Sequence, residues 1–305
     1  MDKILSRTTS KFYAGFNFLT NSDDSMTEWH EEFSTAINNG DLSLYKSASG
    51  AEIYYRYLKW DSDFFAVPTY RIDYSFIPDN VRTSSEPFEA LFAHLQSLHS
   101  QFYLFAEVPS EDVQALSGMT AAGYRLIESR LTYFNDQIQK FDATRRYTTR
   151  QATTADIDVL AKTAIDSVNI FDRFHADDFF TSSEADRFLA KYTENSVLGF
   201  ADEVMVPADG IANAFLTANY VSSPRCLSNK KIAKMVLSAV ASERRGWYVK
   251  LIGEMTQKFR EQGVDIAFMT TQSTNKAVLK VWNSFGYRFG KSSHILSKYC
   301  KNISC

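Results

Sequence analysis

The chain is poor in the features that would tie it to a membrane, a nucleic acid or an oxidising compartment. Its only cysteines are Cys226, Cys300 and Cys305, an odd number without metal-ligand spacing; a reduced, cytoplasmic setting is expected. No apolar run approaches the roughly 18 to 20 residues of a membrane-spanning helix. The opening MDKILSRTTSK has no secretory apolar stretch. Neither sign of charge dominates, since 33 basic side chains against 36 acidic ones leave a formal charge of −3. The basic excess or stripe of a nucleic-acid reader is therefore missing. A G-x-G-x-x-G fingerprint, a complete G-x-x-x-x-G-K-S loop and a G-x-S-x-G elbow are also absent. Their absence argues against dinucleotide-binding, P-loop and α/β-hydrolase readings. No carboxylate or Cys/His cluster has metal spacing, so no metal is expected.

What is present is enough apolar residue for a core. Hydrophobic residues make up 45% of the chain and charged residues 23%. The 305 residues suit one large domain or two of ordinary size, because cores divide above roughly 250 residues. Residues 1–50 are the least regular part. Asn21-Ser22-Asp23-Asp24-Ser25 and Asn38-Asn39-Gly40-Asp41 are loop chemistry, as short polar side chains compete for backbone hydrogen bonds. An irregular N-terminal extension is expected there. From Ile53 an alternating α/β unit begins. It has a helical face at Phe88, Leu91, Phe92 and Leu95, then a strand over Phe102–Val108. A short helix follows with Ser110 as its cap and Val113, Leu116 and Met119 on its face, then Gly123-Tyr124-Arg125 and strand residues reaching Phe134.

The basic stretch Lys140–Arg150 reads as a connection to a second half. There Thr153 and Thr154 precede Asp156 and Asp158, an N-terminal helix signal, and Ile157, Leu160, Ala161, Ala164 and Val168 supply the apolar face. A helix around Ala185–Tyr192 and two antiparallel strands meeting at Asp209-Gly210 come next. The apolar run Lys234–Ala241 suits a central strand. Tyr248, Leu251, Ile252, Met255 and Phe259 then repeat at helical spacing as far as Gln262-Gly263. A strand over Val264–Thr270 precedes a helix starting at Asn275 with Val278, Val281, Trp282 and Phe285 on its face. Gly286-Tyr287-Arg288 closes that helix and echoes Gly123-Tyr124-Arg125. The expected fold class is α/β (α+β), with residues 51–145 and 146–305 as two domains after the extension 1–50.

The chemistry centres on Ser242-Glu243-Arg244-Arg245-Gly246-Trp247, between a strand and an amphipathic helix. A helix start exposes unpaired N–H groups and a partial positive charge. Gly246 lets backbone approach a phosphate, and Arg244 and Arg245 can add charge-assisted bonds. The same residues suit a solvated turn with two surface arginines, and the turn alone does not decide between these readings.

The later order Thr271-Gln272-Ser273-Thr274-Asn275-Lys276-Ala277, helix, Trp282, Gly286-Tyr287 extends the pattern. The second half resembles the GNAT superfamily of N-acyltransferases, whose motif runs Asn, Ala two residues on, an aromatic five beyond, then Gly-Phe or Gly-Tyr. Further blocks resemble the TDP-fucosamine acetyltransferase group of amino-deoxysugar nucleotide N-acetyltransferases. They are Trp60-Asp61-Ser62-x-Phe64-Phe65, Arg173-Phe174-His175-Ala176-Asp177, Ala185-Asp186 and Asn195-Ser196-Val197-x-Gly199. The resemblance implies two GNAT-like domains with mixed central sheets flanked by helices, the second alone holding acetyl-CoA. It assigns Ala239, Val240, Arg244, Arg245, Gly246, Trp247, Tyr248, Asn275 and Ala277 to the cofactor, and Arg173 and His175 to the acceptor. The implied acceptor is a primary amine, foremost that of a nucleotide-linked amino-deoxysugar. Nucleic acid and membrane are not among the implied partners; a second copy of the chain, as a homodimer, is left open.

Two departures qualify the resemblance. The family's phosphate loop runs Arg-Gly-x-Gly-x-Gly/Ala, whereas here Arg245-Gly246 leads straight into Trp247-Tyr248, with Tyr248 where a small residue normally admits phosphate. Trp282 stands where the family often places a tyrosine that protonates the departing thiolate. Indole donates a hydrogen bond but has no useful acidity near neutral pH, so Trp282 marks the catalytic position while the acid is unassigned. A thiol of pKa roughly 8.5 leaves readily as thiolate. A backbone N–H near Val240 can polarise the thioester carbonyl, and positioning supplies further rate. The departures also suit a non-catalytic CoA- or ligand-binding module; within the transferase reading, a peptide, polyamine or antibiotic amine is the alternative acceptor.

Overall fold

A computed structural model describes residues 10–19, 23–78, 84–222 and 227–301. Helix α1 (Asp23–Asn38) is followed by strands β1 (Ser43–Lys46) and β2 (Glu52–Tyr57) and helix α2 (Lys59–Phe65). Strand β3 (Thr69–Phe76), helix α3 (Glu86–Leu98), strand β4 (Phe102–Pro109), helix α4 (Val113–Ala121) and strand β5 (Arg125–Asn135) come next. Then follow β6 (Thr149–Gln151), α5 (Ile157–Asp166), the single-turn α6 (Arg173–Ala176), α7 (Ser182–Asn195), β7 (Glu203–Pro207) and β8 (Ala214–Val221). The chain ends with β9 (Ile232–Val240), α8 (Trp247–Glu261), β10 (Ile266–Gln272), α9 (Lys276–Ser284) and β11 (Arg288–Cys300). This is the expected mixed α/β class, with helices flanking the strands.

Residues 23–46 are more regular than the sequence suggests. Trp29, Phe33, Ala36 and Ile37 line one face of α1 and pack with Tyr54 and Tyr74. Burying that face outweighs the turn-forming tendency of the polar residues at either end. Strand β1 pairs antiparallel with β2. The Asn21-Ser22 part of the first loop cluster, Cys226 and Cys305 lie outside the described residues, and Cys300 is a free thiol.

Contacts divide the chain into two units. One is Met1–Arg130 with Ala176–Phe179 and Ser292–Cys305; the other is Leu131–His175 with Phe180–Lys291. This division does not coincide with the boundary expected at residue 145. Asp177 shows why a short excursion rejoins the first unit: its carboxylate accepts from Tyr103 Oη at 2.8 Å, Ser297 Oγ at 2.5 Å and Arg125 at 3.0 Å. A buried carboxylate needs such partners wherever they lie in the sequence, and composition along the chain does not reveal them.

In the first unit the strand order runs β1-β2-β3-β4-β11. Strands β3 and β4 are parallel, whereas β1–β2, β2–β3 and β4–β11 pair antiparallel. Helices α3 and α4 bury Phe88, Leu91, Leu95 and Met119 against Phe102 and Leu104. Asp112, not Ser110, caps α4, accepting from the Ala115 amide at 3.1 Å. Ser110 turns aside to His294 Nε2 at 3.1 Å.

In the second unit the order is β5-β10-β9-β8-β7-β6, with β9 and β10 parallel. Helices α8 and α9 cover one face with Trp247, Leu251, Ile252, Met255, Phe259 and Trp282, each large apolar side chain contributing about 1.5–3 kcal/mol by burial. Leu160 and Ala164 of α5 pack with Phe215 and Ala239. A capping box between Thr181 and Glu184 starts α7.

The Gly-Tyr-Arg echo is a real structural repeat. Gly123 and Gly286 both take φ of +78°, the left-handed conformation that glycine tolerates at a helix end. In each case the following tyrosine amide donates back at 3.0 Å, Tyr124 to the Met119 carbonyl and Tyr287 to the Trp282 carbonyl. Trp282 and Met119 therefore hold equivalent positions on their helices, and both are buried.

Candidate functional site

The second unit contains a fork. Strands β9 and β10 pair only between Ile232–Lys234 and Ile266–Phe268, although they run on to Val240 and Gln272. A bulge in β9 accompanies the parting. Against β8 the register shifts between Leu216 and Ala218, placing one extra β9 residue opposite Thr217. The Thr217 hydroxyl accepts from the displaced Leu237 amide at 2.9 Å, so the bulge leaves that donor satisfied. The extra residue also exchanges the faces of the strand. Ala233 and Met235 pack with α8 before it; Leu237 and Ala239 face the α5 side after it, and Val240 returns to the α8 side.

That alternation fixes where the backbone points. The Leu237 amide bonds Thr217 and the Ala241 amide bonds the Asn213 carbonyl, both towards β8. The amides of Ser238 and Val240 consequently face the side from which β10 has parted. Residues after α5 hold the two strand ends: Ser167 Oγ donates to the Val240 carbonyl at 2.9 Å, and Asn169 Nδ2 donates to Gln272 Oε1 at 2.8 Å. No local motif marks Ser167, Asn169, Thr217 or Ser238, and sequence reasoning missed all four.

Beyond β9, Ser242–Arg244 forms one tight turn, and Gly246 enters α8 at φ +94° and ψ −13°. A Cβ added to Gly246 would meet nothing within 4 Å, so the backbone conformation requires glycine and the space beside it is open. No side chain caps α8, so its first amides are left without a side-chain acceptor. The structure separates the two arginines. Arg244 donates to Asn213 Oδ1 at 2.8 Å, Asp209 Oδ1 at 2.9 Å and the Ile211 carbonyl at 3.2 Å, bracing the β7–β8 connection. Arg245 is exposed, with no hydrogen bond or ion pair holding its guanidinium among the described residues.

Trp247 and Tyr248 do not crowd the turn with their side chains. The Trp247 indole belongs to the core, with Lys250 Nζ 4.5 Å from its ring centroid, which leaves its amide as the group at the helix mouth. Tyr248 shares a helical face with Leu251 and Ile252 and runs inward. There its hydroxyl accepts from Trp282 Nε1 at 2.7 Å. Burial pushes the Tyr248 pKa up, while the Trp282 and Ser238 hydrogen bonds draw it part of the way back. Trp282 is 3% exposed, and its ring lies 5.7 Å from that of Tyr133.

The remaining expected site residues are positioned as follows. Ala239 is buried on the α5 side and Val240 ends β9. Asn275 caps α9, its side chain accepting from the Val278 amide at 3.4 Å and donating to Thr271 Oγ1 at 3.3 Å. Ala277 is exposed in the first turn of that helix. His175 is clamped between carboxylates, Nδ1 at 2.7 Å from Asp172 and Nε2 at 3.1 Å from Asp186. Both ring nitrogens are thus taken up in tying α6 to α7. The Arg173 guanidinium lies 4.3 Å from the Phe174 ring centroid. The fork, Arg245, Gly246 and the Tyr248–Trp282 pair form one neighbourhood through β9 and α8, whereas the two His175 hydrogen bonds lie within the segment from Asp172 to α7. Among the described residues no group of His, Cys, Asp or Glu is placed to hold a metal, and no helix is long and apolar enough to cross a membrane.

Neither a family model nor a curated protein matches the chain. Solved structures do. A GCN5-related N-acetyltransferase from Sphaerobacter thermophilus is 12% identical with a TM-score of 0.54, over 88% of this chain and 85% of its own. A tandem GNAT protein from the clavulanic acid biosynthesis pathway, without AcCoA, is 14% identical with a TM-score of 0.50, over 92% and 96%. A GCN5-related glucosamine N-acetyltransferase region of a fungal multi-domain GH3 β-N-acetylglucosaminidase is 13% identical with a TM-score of 0.60, over 92% of this chain and 37% of its own. At these identities the likeness is one of architecture, and the architecture is plain: the chain has the fold of the GCN5-related N-acetyltransferases.

Proposed function

We propose that the chain is an acetyl-CoA-dependent N-acetyltransferase whose second unit holds the cofactor along the β9–β10 fork. The observation that carries this is the fork itself: backbone donors of Ser238 and Val240 face a gap between two parallel strands, and an uncapped helix start with exposed Arg245 follows the same strand. A diphosphate suits the α8 amides and Arg245. An extended amide-bearing arm suits an unpaired strand edge, as in β-augmentation. In the reaction the acceptor amine attacks the thioester carbonyl, forming the C–N bond. The oxyanion is stabilised by an amide of the Ser238–Val240 edge, and collapse breaks the C–S bond. Ser167 and Asn169 position the two strand ends.

In this reading the first unit is a GNAT-like domain without cofactor. Its counterpart of α8 is α3, which begins with Glu86 and Glu89 rather than a glycine and an arginine, and acids at a helix mouth repel phosphate. The acceptor is a primary amine. The Trp60, Arg173 and Ala185 blocks, and the fold shared with a glucosamine N-acetyltransferase region, favour an amino sugar, foremost one linked to a nucleotide. Calorimetry with CoA, followed by thiol release from acetyl-CoA across a panel of amino-sugar nucleotides, peptides and polyamines, tests the reading. Micromolar CoA binding with release on one amine class supports it; failure to bind CoA overturns it.

A second reading has its own observation. The indole N–H of Trp282 is already engaged by Tyr248, as befits a packed core position. A CoA-binding module that performs no transfer would show binding in the calorimeter and silence across the amine panel.

A further inference from the structure

When a thioester is cleaved by an amine, the bond pair of C–S stays on sulfur, and a hydrogen-bond donor beside the thiolate so formed stabilises it. The α8–α9 wall of the fork offers Trp282 and Tyr248. An indole N–H can only donate, and that of Trp282 donates to the Tyr248 oxygen at 2.7 Å. The Tyr248 oxygen is thus the acceptor in this bond, and its own hydrogen must point away from Trp282. The Ser238 side chain also hydrogen-bonds this oxygen, in the sense that lowers the phenol pKa, and it stands on the stretch of β9 that has parted from β10, two residues before Val240. Trp282 therefore holds the Tyr248 oxygen beside the strand edge where the thioester carbonyl would be polarised, with the phenol hydrogen turned away from the indole.

On the acetyl-transfer reading above, we infer that the Tyr248 hydroxyl is the hydrogen-bond donor to the departing sulfur and that Trp282 is the positioning residue that aims it. Atoms balance without a tyrosine proton being consumed. The amine nitrogen forms the new C–N bond, the C–S pair remains on sulfur, the nitrogen's surplus proton passes to water, and the thiolate is protonated from solvent as CoA leaves. Burial keeps the phenol above its ordinary pKa, which already exceeds that of a thiol. Tyr248 consequently donates a bond and keeps its proton. This separates it from a general acid, whose ionisation would shape the alkaline limb of the rate profile.

The experiment compares wild type, Tyr248→Phe and Trp282→Phe by CoA calorimetry and by steady-state transfer to the best amine of the panel across pH. The expected result for Tyr248→Phe is a kcat lower by about 10- to 100-fold, as for loss of a bond to a charged group, with CoA affinity within about threefold and the alkaline limb unmoved. Trp282→Phe should lower kcat less, because the donor remains but is no longer aimed. If Tyr248→Phe fails to fold for want of a partner for the Trp282 N–H, the double Phe variant removes both polar groups and should show the same kcat loss. Wild-type kcat in whichever of the two folds, or loss of the alkaline limb on removing the phenol, overturns this assignment and leaves the transferase reading standing. A wild type that binds no CoA, or binds it and transfers to no amine, overturns both.

Discussion

The two Gly-Tyr corners provide a controlled comparison of one side chain in two environments. Tyr124 and Tyr287 follow equivalent left-handed glycines and are 3% and 1% exposed. Their hydroxyls differ. Tyr287 Oη lies 3.0 Å from Thr256 Oγ1, whose own hydrogen goes to the Ile252 carbonyl at 2.7 Å, so Tyr287 is the donor. The Tyr124 hydroxyl is buried with no partner among the described residues. A buried hydroxyl without a partner costs about 1–3 kcal/mol, whereas a satisfied one contributes about 0.5–1.5 kcal/mol. Tyr124→Phe keeps the ring against Phe88 and removes only the penalty, so it should stabilise the protein by about 1 kcal/mol or more. Tyr287→Phe should destabilise it by about 1 kcal/mol. Thermal unfolding resolves this, since each kcal/mol shifts the midpoint of a 150–250-residue domain by about 2–4 °C. The two changes should have opposite signs. A loss of stability in Tyr124→Phe, or a gain in Tyr287→Phe, would refute the reasoning that hydrogen-bond satisfaction distinguishes the corners.

Other expectations follow from the turn before α8 and from a buried histidine. Arg245→Ala should weaken CoA binding roughly 10-fold or more, as for loss of one charge-assisted bond, while Arg244→Ala should leave affinity nearly unchanged and loosen the β7–β8 connection; calorimetry on the pair decides, and the reverse order would exchange their roles. Gly246→Ala meets no neighbour but forces an L side chain to positive φ, and should cost about 1–2 kcal/mol in unfolding measurements; no loss would show that the turn is not held in that conformation. His30 is 6% exposed, and its burial lowers its pKa. As pH falls below about 6.5 the unfolded chain takes up a proton that the folded His30 resists, so stability should decline there. The decline should be shallower in His30→Leu, and an identical pH slope in the two proteins would sink this account.

Much of the architecture was legible because helices and strands announce themselves within a few residues. The spacing of Tyr248, Leu251, Ile252, Met255 and Phe259 places one apolar face on α8, and Gln262-Gly263 stops it. The same spacing already placed Tyr248 on the core face, a stronger signal than its alignment with a small phosphate-loop residue. The helix α1 was missed because its flanks are rich in turn formers, while its stabilising contacts lie on β2 and β3. Ser110 looked like a cap by identity, but Asp112 is placed where its carboxylate reaches the Ala115 amide.

By itself the sequence determined the class of fold, the order of helices and strands through most of the chain, the glycine that opens α8 and the paired Gly-Tyr corners, since each rests on local periodicity or on backbone conformations that few residues adopt. Only the tertiary structure decided that β9 and β10 part, that Arg244 is a brace while Arg245 is exposed, that His175 is held by two carboxylates, and that Trp282 meets Tyr248. Those outcomes depend on hydrogen bonds between residues as far apart as Asn169 and Gln272. Such partners are selected by how packed elements bring donors and acceptors together, which a local pattern does not encode.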